Sequence, residues 1–160
     1  MRSVVDNPEG RGSRVLLCDD SPVERLALAH YLRRGGYEVD EAADGEAAIE
    51  HLKNRQVDVV LLDLQMPDVD GFDVLNYLRE HRRSLPVILL SGMPPDQIQH
   101  KMADLDHPEL PPLFIKPIDP EQLVEVLELQ LRGEMPEIVH ADEPVDAPTN
   151  GDHPAVVKKF

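Results

Sequence analysis

Val57-Asp58-Val59-Val60-Leu61-Leu62 is the most strand-like run in the chain, and it ends at Asp63. Nearly continuous Val and Leu is what a strand buried on both faces of a parallel sheet requires. Three other runs have the same form. Val15-Leu16-Leu17-Cys18 ends in Asp19-Asp20, Val87-Ile88-Leu89-Leu90 ends at Ser91-Gly92, and Leu113-Phe114-Ile115 ends at Lys116-Pro117. Tyr37 to Ala42 supplies one more strand, after the first.

Helical patterns fill the gaps between these strands. Ser21-Pro22-Val23-Glu24 has capping-box spacing with Pro at the first helical position, and the helix it opens carries Leu26, Ala27, Leu28 and Leu32 before stopping at Gly35-Gly36. Asp44 caps a helix holding Ala47, Ala48, Ile49 and Leu52. After a loop through Met66-Pro67 and Asp70-Gly71 comes a helix bearing Val74, Leu75 and Leu78, with Asp68 and Asp70 serving the loop and the helix start. Ile98 and Met102 suit one face of a short helix bracketed by Pro94-Pro95 and His107-Pro108. Asp119-Pro120 caps the last helix, with Leu123, Val124, Val126, Leu127 and Leu131. Strand and helix thus alternate, which predicts an α/β fold with helices on both faces of a parallel sheet. The flavodoxin-like (βα)5 arrangement, a doubly wound five-stranded sheet in the order 2-1-3-4-5, suits this size.

The domain is expected to span residues 14–132. Residues 1–13 read as a disordered leader. Residues 133–160 read as a flexible tail, because four prolines among six acids cannot bury enough apolar surface to offset ordering entropy. No output domain is expected after residue 132.

Composition removes several function classes. Asp and Glu total 31 against 16 Lys and Arg, a formal charge of −15. Such a surface repels phosphate backbones and anionic lipid, so neither direct nucleic-acid binding nor membrane binding is expected. The chain has no Trp to offer a stacking platform. One Cys excludes a disulfide framework and a Cys-based zinc site. No apolar run approaches the roughly 18 residues of a membrane helix, and no secretory signal opens the chain. A soluble cytoplasmic protein is expected.

In doubly wound sheets, ligands bind beyond the carboxyl ends of the strands. There the first strand delivers Asp19 and Asp20, the third Asp63, the fourth Ser91 and the fifth Lys116. Any one of these alone reads as a loop, a cap or surface decoration; their convergence on one rim is the signal. Crowded carboxylates raise each other's pKa. A hard divalent cation with oxygen ligands relieves that, and Mg²⁺, held by one or two carboxylates with water and phosphate oxygens, fits best. An Asp carboxylate is also a nucleophile for phosphoryl groups. Phosphoryl transfer needs an in-line nucleophile, a metal and a cation for the equatorial oxygens. Asp63, Mg²⁺ and Lys116 meet that need, and Ser91 can donate a hydroxyl hydrogen bond. Cys18 reads as a small buried apolar residue beside the site.

Asp19-Asp20, the run Val59 to Pro67 with Asp70-Gly71, Ser91 and Lys116-Pro117 resemble the receiver domain of two-component response regulators, over roughly residues 14–132. The resemblance implies that Asp63 takes a phosphoryl group from a sensor histidine kinase or a histidine phosphotransfer protein. It implies that Asp20, Asp63 and the Gln65 backbone carbonyl ligate Mg²⁺, with Asp19 acting mostly through water. It also implies that Ser91 and Lys116 bind the phosphoryl oxygens, that Lys116-Pro117 is a cis peptide, and that side chains near Gln65 and Met93 set the lifetime of the phosphorylated form. One departure is clear. The family usually has an aromatic switch three residues before the lysine, where this chain has Leu113; Phe114 should face the other way.

The expectation is a phosphoacceptor that catalyses at most its own phosphorylation and dephosphorylation and signals by binding a further protein. A shuttle passing the phosphoryl group onward is equally compatible. The alternatives are a receiver-fold module that works without phosphorylation, and an Asp-nucleophile phosphohydrolase. The complete acidic set counts against the first. The second wants an Asp-x-Asp pair after the first strand, where Asp19-Asp20-Ser21 stands.

Overall fold

The computed structural model describes residues 12–82, 84–103 and 111–134. The leader and the acidic tail lie almost wholly outside the described residues. Five strands, β1 (Arg14–Cys18), β2 (Glu38–Ala42), β3 (Val59–Asp63), β4 (Val87–Ser91) and β5 (Leu113–Ile115), alternate with helices α1 (Pro22–Arg34), α2 (Gly45–Asn54), α3 (Gly71–His81), α4 (Pro95–Ala103) and α5 (Pro120–Leu131). The strands form one parallel sheet in the order β2-β1-β3-β4-β5, as the sequence predicts.

Side-chain alternation along each strand divides the core in two. Leu16, Cys18, Val60, Leu62, Leu89 and Leu113 pack on one side with α2, α3 and α4 residues such as Leu52, Leu75 and Ile98. Val15, Leu17, Val59, Leu61, Ile88 and Phe114 pack on the other with Leu32 of α1 and Leu123 and Leu127 of α5. Leu113 and Phe114 are both fully buried and face opposite ways. The family's switch position therefore holds an aliphatic side chain inside the α4 half of the core.

Helix α1 differs in two respects from the plain run of apolar residues and the capping box that its sequence shows. Leu26 and Ala27 do not join the core: Leu26 is 57% exposed, as Val23 is at 80%. An α-helix turns about 100° per residue, so Leu26 emerges about 120° round from Leu32 and misses the stripe through Leu28, Ala29 and Leu32 that meets the sheet. The second difference is at the cap. Ser21 Oγ accepts the Glu24 N–H at 3.4 Å, but the Glu24 carboxylate does not close the box, because the Ser21 N–H donates to Asp19 Oδ1 at 2.9 Å. The helix ends as predicted. Gly36 takes φ +96°, and Tyr37 N–H and Gly36 N–H return to the carbonyls of Leu32 and Arg33. This closure wants a residue free of a Cβ.

Candidate phosphoryl-acceptor site

Parallel pairing carries every strand's carboxyl end to one rim. Asp19 follows β1 and stays in the ladder through its N–H to the Ala42 carbonyl, 3.1 Å. Asp63 ends β3 beside Leu90, and Ser91 ends β4 beside Ile115. Lys116 follows β5, held by its N–H to the Ser91 carbonyl at 2.8 Å, and Lys116-Pro117 is a cis peptide. The chain then turns sharply after β3. A Cβ on Gly71 would overlap the Asp63 carbonyl oxygen, so only glycine lets α3 start this close to the strand. Asp70 caps α3 with Asp73 in a reciprocal box, and Asp68 occupies a left-handed turn position at φ +63°, so both serve the loop as expected.

Asp19, Asp20 and Asp63 come together: one carboxylate oxygen from each lies within 4.8 Å of the others. Asp19 and Asp63 are 2% and 1% exposed, whereas Asp20 opens to solvent. Lys116 Nζ lies 2.9 Å from Asp63 Oδ2 and 3.5 Å from Asp19 Oδ2. The other Asp63 oxygen accepts the Gln65 N–H at 2.9 Å. Burial pushes the Asp63 carboxyl up to about 6, and the Asp19 charge adds to this, against the pull of Lys116 and the Gln65 N–H. Burial also opposes the charge on Lys116, but the carboxylates of Glu24, Asp63 and Asp19 outweigh it and raise its pKa. Cys18 stays a buried thiol, pushed up by burial and by the two neighbouring acids, and is no nucleophile.

Ser91 is fully buried, and its Oγ accepts the Met93 N–H at 2.9 Å. That bond uses an oxygen lone pair and leaves the hydroxyl proton out. Gln65 reaches across to the same loop, its Oε1 accepting the Gly92 N–H at 3.2 Å.

Two participants were not read from the sequence. Glu24 Oε2 sits 2.8 Å from Lys116 Nζ, 92 residues away along the chain. Its spacing from Ser21 was the only signal, and that signal points to a helix cap. Arg25 braces the rim by donating to the Asp19 carbonyl at 2.7 Å and to Glu41 at 3.2 Å.

Comparison with known proteins gives a consistent picture. The family model of the response regulator receiver domain matches residues 15–128. The transcriptional regulatory protein ResD of Bacillus subtilis is 33% identical over 114 residues, which is 70% of this chain and 45% of ResD. The chain spans less than half the length of the curated relatives it matches. Among solved structures, the chemotaxis protein CheY4 of Vibrio cholerae is 28% identical with a TM-score of 0.65, covering 73% of this chain and 97% of that one. The response regulator TrrA of Thermotoga maritima, solved with Mg(2+)-BeF, is 27% identical with a TM-score of 0.64, covering 74% and 98%. No described helix is long and apolar enough to cross a membrane.

Proposed function

The chain belongs to the response regulator receiver domain family, and from that premise we propose that Asp63 is a phosphoacceptor in a two-component phosphorelay. The donor is the phosphohistidine of a sensor kinase or a phosphotransfer protein. A carboxylate oxygen of Asp63 forms the new P–O bond as the P–N bond breaks, and the leaving imidazole keeps the electron pair and takes a proton. The observation that carries this reading is the buried Asp63, pressed against Asp19 and Asp20 and bonded to Lys116.

Mg²⁺ fits the donor set, because three crowded carboxylates, one with its pKa pushed up to about 6, are an all-oxygen site short of positive charge. Asp19, Asp20, Asp63 and the Gln65 carbonyl would hold it. When bound, Mg²⁺ neutralises charge on the carboxylates and on the incoming phosphoryl oxygens. Asp63 is held in place by the Gln65 N–H and Lys116. Lys116 passes one donor to the phosphoryl group, and Ser91 turns its hydroxyl proton to another oxygen. Because Ser91 Oγ also holds the Met93 N–H, drawing Ser91 inward pulls the loop after β4. That displacement, with the charge of about −1.5 to −2 that phosphorylation adds, is what a downstream protein reads. Leu113 leaves no aromatic ring at the family's usual switch position to report the change, so the loop carries the response. The same reading includes autophosphorylation from small phosphodonors and places the protein in the cytoplasm.

Intact-mass analysis after incubation with acetyl phosphate and Mg²⁺ tests the proposal. One phosphoryl adduct is expected on the wild type, absent when the metal is chelated before the donor is added and missing from Asp63→Asn. A wild type that stays unlabelled with donors of this kind would favour a module that works without phosphorylation.

A further inference from the structure

Lys116 has more carboxylate partners than the phosphoryl chemistry requires. An ammonium has three N–H donors, and here they face three acids: Glu24 at 2.8 Å, Asp63 at 2.9 Å and Asp19 at 3.5 Å. Two of the three belong to the acidic group assigned to Mg²⁺. Glu24 does not; it comes from the first turn of α1, and its side chain is half exposed at 52%. It is also unnecessary to the helix start, since Ser21 Oγ holds the Glu24 N–H and Asp19 Oδ1 holds the Ser21 N–H.

We infer that Glu24 is a positioning residue that keeps Lys116 at the mouth of the site and so strengthens Mg²⁺ binding by the three aspartates. The inference rests on the reading of Asp19, Asp20 and Asp63 as a magnesium site. Without the cation, Lys116 neutralises part of the charge on Asp63 and Asp19. A dication on the same carboxylates repels the ammonium and takes up the oxygens it was bonded to. Glu24 then offers the lysine a partner outside the metal's set. The pair between Glu24 and Lys116 therefore stabilises the loaded state more than the free one. Without Glu24, the lysine depends on Asp63 and Asp19 and competes with the cation for them.

A general field effect of one more negative charge would also favour Mg²⁺, so the test must separate contact from field. Calorimetric titration of MgCl₂ into the full chain does so with Glu24→Gln, which loses the charge, and Glu24→Asp, which keeps the charge but is one methylene shorter. Because the pair is partly exposed, both variants are expected to weaken Mg²⁺ about two- to fivefold. In a Lys116→Met background, Glu24→Gln is expected to change nothing further, as a double-mutant cycle demands of a residue acting through its partner. Wild-type affinity in Glu24→Asp, or an undiminished effect of Glu24→Gln without the lysine, would overturn the inference. If Lys116→Met does not fold, the Gln and Asp variants decide alone, since position 24 is exposed and neither change disturbs the core. Normal binding in the wild type with no change in either variant removes this inference and leaves the phosphoacceptor reading standing. A wild type that binds no Mg²⁺ removes both.

Discussion

At the edge of the sheet, Asp40 of β2 meets two basic groups. Arg14 Nη1 lies 3.0 and 3.2 Å from its two oxygens, and His51 Nε2 lies 2.8 Å from Oδ2. Burial alone would raise the Asp40 carboxyl, but Arg14 and then His51 hold it below its ordinary value. At the carboxyl rim, Asp63 shares one cation with Asp19 and Glu24, and burial raises it to about 6. The same residue type is thus satisfied at one place and left short of positive charge at the other. Where carboxylates are balanced, they tie β1, β2 and α2 together. Where they exceed their cations, the fold tolerates a cost that a further positive charge would relieve, as perturbed groups at functional sites do.

The contrast is broken most directly by removing each carboxylate in turn. Asp63→Asn deletes a buried charge whose pKa is raised, so without Mg²⁺ near neutral pH it is expected to stabilise the protein by about 1–3 kcal/mol. Urea unfolding with a higher midpoint checks this; a lower midpoint would mean that the Asp63 charge is well paired after all. The pull of Lys116 is already contained in that raised value.

The pH dependence of stability should separate the two clusters next. The Asp63 pKa in the folded protein is above its unfolded value of 3.8, so the folded state holds the proton more tightly. Its contribution to stability is complete below about pH 4 and is lost as pH rises through about 6. Asp40 has the opposite sign: its folded pKa is depressed, so its contribution is present above 3.8 and lost as pH falls through the folded value. Unfolding free energy measured without metal between pH 4.5 and 7.5 is therefore expected to fall with rising pH. The slope should flatten in Asp63→Asn and in saturating Mg²⁺. A slope unchanged in Asp63→Asn would move its origin elsewhere.

The smallest effect is expected at the balanced cluster. Arg14 and Asp40 are partly exposed, at 33% and 17% of their side chains, so solvent screens them. Asp40→Asn is expected to destabilise by about 1 kcal/mol, opposite in sign to Asp63→Asn. A midpoint that rises in both variants would erase the distinction between the clusters.

What the sequence discloses about this molecule follows the range of the interactions involved. The buried strands could be read because runs such as Val59 to Leu62 are local and need no knowledge of neighbours. The alternation of elements implied a parallel sheet, the flavodoxin-like strand order came from the size of the chain, and the polar residues closing each strand then fell on one rim. Leu26 stays outside the core because α1 carries more apolar residues than one helical stripe can bury. Glu24 was misread because its local spacing suggests a cap, while its real partner is Lys116 at the far end of the domain. The Arg14–Asp40–His51 cluster has no local pattern at all; it depends on the register that sets Arg14 beside Glu38, two residues before Asp40.

The central claim is that Asp63, among the crowded acids, is the one that becomes phosphorylated. Borohydride reduction of the labelled protein followed by peptide mapping locates an acyl phosphate by turning its aspartate into homoserine. The account predicts homoserine at position 63 and nowhere else; homoserine at 19 or 20 with Asp63 intact would contradict it.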